Sequence, residues 1–319
     1  MSTESVSTTA DKRKITRLRP RTTGNSRRRA VREAKEWTAK ILLSSSAVFS
    51  IVTTLLIVGV LLYESSAFFR EVRLDKFLFS TDWSPTYGRF GIWALISATL
   101  VTTSIALAVA LPIGSVVAIY LSEFAPFWLR ETIKPSLELL SAVPTVVYGY
   151  FALAWVSPAL QVFYPRLSGS NMLCAGLVMG IMIVPYISSL SEDAMRSVPM
   201  LLREGSYALG GNKLMTAWNV VIPSALSGIG AAYILGISRA IGETMIVAVA
   251  GGNIARFTFN PLAEAQTITA NIVATSGGDP AHGTIEYQSL FAAGLALFVM
   301  TLVFNILGYW LRRRFHQAY

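Results

Sequence analysis

An all-α membrane protein with about six transmembrane helices is predicted by three observations. Of the 319 residues, 53% are hydrophobic and only 14% charged, with a mean hydropathy of +0.52. A soluble domain carries about 25% charged residues. The apolar residues gather in blocks that reach the roughly 20 residues needed to cross a bilayer core of about 30 Å. Finally, Lys and Arg collect beside those blocks, mostly on one side of them.

Residues 1–36 are Ser/Thr-rich and basic, with Pro20 and Gly24. They hold too few apolar groups to bury a core, so disorder is expected at least to Gly24. Residues 1–40 are therefore read as a basic, largely disordered N-terminal arm. It serves either as an orientation signal or as a contact for anionic lipid or a regulator. No signal-peptide shape opens the chain, so the apolar block that begins near Ile41 is read as a retained first span. The transmembrane domain then occupies 41–315.

Spans are expected over about 41–63, 92–120, 137–157, 171–190, 224–251 and 288–311. Pro112, Pro144 and Pro185 fall inside three of them, which predicts kinks or breaks supported by neighbouring helices. Residues 64–91 and 252–287 form long connections, able to cap the bundle or to dock a partner. The second contains AQTITANIVATSGG, read as a short helix followed by a Gly-rich turn.

Orientation follows from the 27 Lys and Arg. Twelve lie in the arm, two (Arg130, Lys134) in 121–136, three (Arg196, Arg203, Lys213) in 191–223 and three in the tail. The other side holds six: Arg70, Arg73, Lys76, Arg89, Arg166 and Arg256. Both termini are thus expected in the cytoplasm, in agreement with six spans. The same distribution explains the net charge of +9 without nucleic acid.

The chemistry-bearing candidates are few. Cys174, the single cysteine, lies in an apolar block, excludes an internal disulfide and reads as a packing residue. His282 and His316 have no partner at ligand spacing, which argues against a metal. There is no GxxxxGK[ST] phosphate loop, so this chain does not hydrolyse ATP, and no GxSxG or HExxH element suggests an enzyme.

Within the fifth expected span, Arg239 and Glu243 stand four residues apart. On a continuous helix they share one face and can neutralise each other. From Ser224 to Arg239 the helix rises roughly 22 Å, which places the pair about mid-span, where a charge costs about 2.5–3.5 kcal/mol. An arginine beside a water-filled path suits an oxyanion, because its planar fork binds such oxygens in a bidentate way. A structural salt bridge between helices is the alternative. Thr244 either adds a hydroxyl to the path or returns a bond to its own backbone. In the third span, Pro144, Tyr148 and Gly149 are read either as lining for the path or, preferably, as helix packing through small residues.

The connection 191–223 reads SEDAMRSVPMLLREGSYALGGNKLMTAWNVVIP. Charged helix formers, a Gly-Gly pair and a second amphipathic stretch predict a helix–turn–helix at the membrane surface. Such an element makes a lever for a soluble motor. Gly210 supplies the backbone freedom of the turn, Glu204 a charge at the cytoplasmic surface, and Pro223 the start of the next helix.

Glu204, Gly210 and Pro223 have the spacing of the loop E-A-A-x3-G-x9-I-x-L-P carried by permease subunits of bacterial ABC importers. Gly205 and Ser206 replace its alanines, Val220 its isoleucine and Ile222 its leucine. The stretches RAIGETM, IVAVAGG, SAVPTVVYGY and AQTITANIV resemble the C-type (PstC-like) permeases of the bacterial phosphate importer over about 40–315. The resemblance implies the type I ABC importer permease fold and transport of inorganic phosphate across the inner membrane. It also implies the partners: an A-type (PstA-like) permease, a dimeric cytoplasmic ATPase (PstB-like) that uses ATP and Mg, and an external phosphate-binding protein (PstS-like). The loop about 196–223 would sit in a groove of the ATPase. Glu243 would then repel a fully ionised anion yet accept a hydrogen bond from a protonated one, separating phosphate from sulfate. A permease for sulfate or molybdate, and a secondary transporter driven by an ion gradient, are the rival readings.

Overall fold

The computed structural model describes residues 26–314. The disorder expected for the first residues lies outside them, but residues 26–40 are helical and open α1 (Ser26–Glu71). The chain divides into two compact units, Met1–Val58 and Gly59–Tyr319. In the first, the apolar side chains Leu42, Leu43, Phe49, Leu55 and Leu56 all point outward, as on a helix bathed in hydrocarbon.

Among the described residues, six helices are long and apolar enough to cross a membrane: Lys35–Glu71, Trp93–Phe124, Thr145–Phe163, Met172–Arg196, Lys213–Ile241 and Ile285–Trp310. Two depart from the expected bounds. Residues 137–142 belong to a separate amphipathic helix, α4 (Phe127–Ala142), and the third span begins only at Thr145. Pro144 causes this, because the residue before proline is pushed out of the helical region, and Val143 is extended (φ −63°, ψ 131°). The fifth span ends at Ile241 rather than running to 251, and a short helix, Met245–Ala250, completes it. Pro112 and Pro185 sit inside unbroken helices.

The centre is built by α3 (Trp93–Ile119) and α7 (Met172–Arg196). Asn171 starts α7, its side chain accepting from the Cys174 N–H at 2.8 Å. The two helices approach closely because Gly176 and Gly180 have no side chain. A Cβ on Gly180 would lie 2.8 Å from the Ala106 carbonyl oxygen, and small residues of this kind are how membrane helices gain contact. Two buried hydroxyls on α3 return their bonds to their own helix, Thr99 to Leu95 and Thr102 to Ala98, each at 2.8 Å. Hence they are tolerated in an apolar interior.

Among the described residues, four clusters of buried side chains hold the second unit, the smallest of them Ala98, Met172 and Ala265. Of the other three, the middle one joins Met179, Met182 and Ile183 of α7 to Ala240, Ile246, Val247 and Ala250 around the break in the fifth span. At one end Ala118, Met195, Val198, Val221, Ala225 and Ile229 pack together. At the other, Phe68, Phe77, Trp83 and Phe90 make edge-to-face contacts against Ile268, Ala292 and Ala293. Phe68 comes from the end of α1, Phe77 from a helix Leu74–Phe79, and Trp83 and Phe90 from a two-stranded hairpin that pairs them. The connection after the first span is thus an ordered cap. The 252–287 segment forms the expected short helix, Ile268–Gly277, and residues 265–271 are buried.

Candidate functional site

The fifth span runs through α10 (Ile222–Ile241), breaks at Gly242–Thr244, and resumes as α11 (Met245–Ala250). Arg239 lies in the last turn of α10, where the carbonyl end of the helix favours a cation. Its side chain is exposed, and its guanidinium carbon sits 5.6 Å from the centre of the Tyr186 ring on α7. That is cation–π range. Among the described residues, no carboxylate forms an ion pair with Arg239.

The neutralising Arg239–Glu243 pair is therefore not formed. The helix ends between them, so four-residue spacing no longer sets a shared face. Glu243 is buried, and its Oε1 accepts from the backbone N–H of Met245 at 3.1 Å and of Ile246 at 3.4 Å. It caps α11, whose first N–H groups have no partner within the helix. Thr244 donates to the Gly242 carbonyl at 3.2 Å, so its hydroxyl returns to the backbone. The Glu243 carbonyl accepts from buried Thr269 at 2.7 Å, which fastens the break to the 252–287 segment. Gly149 permits the third span to approach α11: a Cβ there would lie 3.0 Å from the Val249 Cβ. Tyr148 donates to the Leu140 carbonyl at 2.8 Å. Both act in packing.

The second element is the hairpin of α8 (Met200–Ala208) and α9 (Lys213–Thr216). Gly210 has φ +84°, a conformation that side chains resist. Gly210 N–H bonds the Tyr207 carbonyl and Gly211 N–H the Ser206 carbonyl, each at 2.9 Å. This is the Schellman closure of a helix end. Asn212 then caps α9 through the Met215 N–H at 2.8 Å. Ser206, one of the departures from the loop pattern, shares a hydrogen bond of 2.8 Å with buried Thr216 across the hairpin. Glu204 is exposed on α8. Pro223 stands in the first turn of α10, within a helical run that continues unbroken from Lys213 to Ile241. A π turn over Ala217–Val221 immediately precedes it, the kind of local adjustment that accommodates a missing N–H.

Sequence reasoning missed the partners that hold both elements. Tyr186 beneath Arg239 and Thr269 beneath Glu243 come from distant segments. Lys134 on α4 reaches Glu192 at 2.7 Å and Asp193 at 2.6 Å on α7. Burial alone pulls the Lys134 pKa down, and the hydrogen bonds it donates to Asp193 and Glu192 outweigh that, so it stands above the ordinary 10.5.

Residues 110–318 match the family model described as "Binding-protein-dependent transport system inner membrane component". Phosphate transport system permease protein PstC of Xylella fastidiosa (strain Temecula1) is 31% identical over 312 residues, covering 91% of this chain and 95% of that one. Probable ABC transporter permease protein YqgH of Bacillus subtilis is 35% identical over 241 residues, covering 75% and 78%. A solved bacterial ABC transporter for import of the acidic polysaccharide alginate superposes with TM-score 0.63 at 14% identity, over 90% of this chain and all of that one. The inward-facing MetNI methionine ABC transporter gives 0.52 at 19% identity, over 71% and 95%. These two likenesses concern the fold. With its six spans, its hairpin of fixed spacing and these matches, the chain belongs to the family of binding-protein-dependent transport system inner membrane components.

Proposed function

We propose that this chain is one of two translocation subunits of an ATP-driven importer that carries inorganic phosphate into the cytoplasm. It has no catalytic site of its own. An A-type permease would pair with it, a dimeric ATPase using ATP and Mg would engage the α8 hairpin, and an external phosphate-binding protein would deliver the substrate. Both termini and the α8 hairpin face the cytoplasm in this reading, supported by the excess of Lys and Arg in those segments.

One observation carries the reading. Arg239 is an exposed guanidinium at a helix break, and among the described residues no carboxylate pairs with it. Discontinuous helices are where membrane transporters place ion and substrate sites. A guanidinium resting on an aromatic face keeps its N–H groups available for an oxyanion. The names of the phosphate-transport relatives supply the substrate.

The test is ATP-dependent uptake of radiolabelled phosphate by vesicles holding the whole complex. Wild type is expected to accumulate phosphate only with ATP, and Arg239→Gln to lose uptake while still assembling. Wild-type uptake that ignores ATP and follows an ion gradient would overturn the reading.

A further inference from the structure

The helix α8 has little apolar hold on the bundle. No residue of α8 is fully buried. Met200, Leu201, Tyr207 and Leu209 point outward, and Leu202 only partly packs against the end cluster. A helix held so weakly would slide when pushed rather than carry the push inward.

Besides Ser206, which bonds Thr216 of α9, Arg203 fastens α8 to the bundle. Its guanidinium meets Glu123 through both nitrogens of one edge, at 3.0 and 3.5 Å. It also donates to the carbonyls of Val198 at 2.6 Å and Met195 at 2.9 Å. Both side chains are enclosed, Arg203 at 11% exposure and Glu123 at 6%. Glu123 lies in the π turn Tyr120–Phe124 that ends the second span. Met195 lies in the last turn of the fourth, and Val198 just beyond its end. Arg203 therefore bonds carbonyls at a helix end, Met195 among them, which also accepts the Val198 N–H at 3.2 Å, while neutralising an enclosed carboxylate. Lysine, a point charge, cannot reproduce this four-way fork.

We infer that Arg203, latched to Glu123 and to the Met195 and Val198 carbonyls, is the positioning residue that joins the α8 hairpin to the second and fourth spans as one mechanical body. In the transporter proposed above, on which this inference rests, the latch sets how much phosphate moves for each ATP hydrolysed. Glu204 and the exposed apolar side chains of α8 belong to the other side of the lever.

The experiment uses the complete complex in proteoliposomes with binding protein. Phosphate uptake and ATP hydrolysis are measured together for wild type, Arg203→Ala and Glu123→Gln. The expected result is a fall of roughly tenfold in phosphate carried per ATP, the size associated with losing a charge-assisted hydrogen bond. Hydrolysis itself persists. A merely structural defect lowers assembled complex, and with it both rates, but leaves their ratio intact. Should Arg203→Ala fail to assemble, Glu123→Gln carries the test, because it removes the charge and preserves the shape. A wild-type ratio in the variants that assemble overturns the latch alone. Wild-type complex that moves no phosphate overturns the functional reading and the inference with it.

Discussion

Two side chains at the break divide the work that one ion pair was expected to do. Arg239 lies against Tyr186, and Glu243 closes the first turn of α11. A cation–π contact is worth about 0.5–2 kcal/mol. Tyr186→Ala is therefore expected to reduce ATP-dependent phosphate uptake several-fold at limiting substrate, whereas Tyr186→Phe keeps the ring face and transports near the wild-type rate. Uptake assays on the two variants decide it. A capping side chain contributes about 1 kcal/mol. Glu243→Ala is expected to lower thermal stability in detergent by that order, while Glu243→Gln retains an acceptor and the cap. If Glu243 also reads the proton on the substrate, Glu243→Gln should lose discrimination between phosphate and sulfate, measured by competition. Unchanged rate and discrimination would leave Glu243 with the capping role alone.

Among elements, α8 and its turn show how a departure from a loop pattern is absorbed. Gly205 stands where the pattern has alanine, and a Cβ there would meet nothing within 4 Å. Glycine inside a helix costs about 0.5–1 kcal/mol relative to alanine. Gly205→Ala is expected to slow amide hydrogen exchange along α8 and leave the hairpin shape unchanged. Gly210→Ala has the same open space but φ +84°, so it is expected to speed exchange through a backbone cost of about 1–2 kcal/mol. The α4–α7 link behaves differently with pH. A lysine whose folded pKa is raised holds its stabilisation below the ordinary value and loses it as pH climbs through the folded value. Lys134 should thus keep α4 fastened through the neutral range and release it only above 10.5.

At the scale of the molecule, helix approach rather than side-chain bulk organises the centre. Gly176 and Gly180 let α7 lie against α3, and a Cβ on Gly176 would come 2.7 Å from the Ile105 Cβ. Overpacking a close-packed interior costs about 1–3 kcal/mol. Gly180→Val is expected to push α3 and α7 apart and to lower the melting temperature of the purified complex. A melting temperature equal to wild type would mean that the two helices yield without loss.

Hydrophobic block length was enough to establish the six spans, because crossing hydrocarbon demands about 20 apolar residues in a row whatever they pack against. The hairpin was legible as well. Glycine at a left-handed turn and the spacing from Glu204 to Pro223 are local properties, and Gly210 takes the conformation its position required. Bounds were less legible. Block length carried the third span back to 137 and the fifth on to 251, since a broken helix and an intact one share the same apolar run. Only the tertiary structure decided that Arg239 faces Tyr186 instead of Glu243, that Glu243 caps α11, and that Arg203 reaches Glu123. Each of those partners except the α11 cap comes from a distant segment. Their meeting depends on how whole helices pack, which no local spacing encodes.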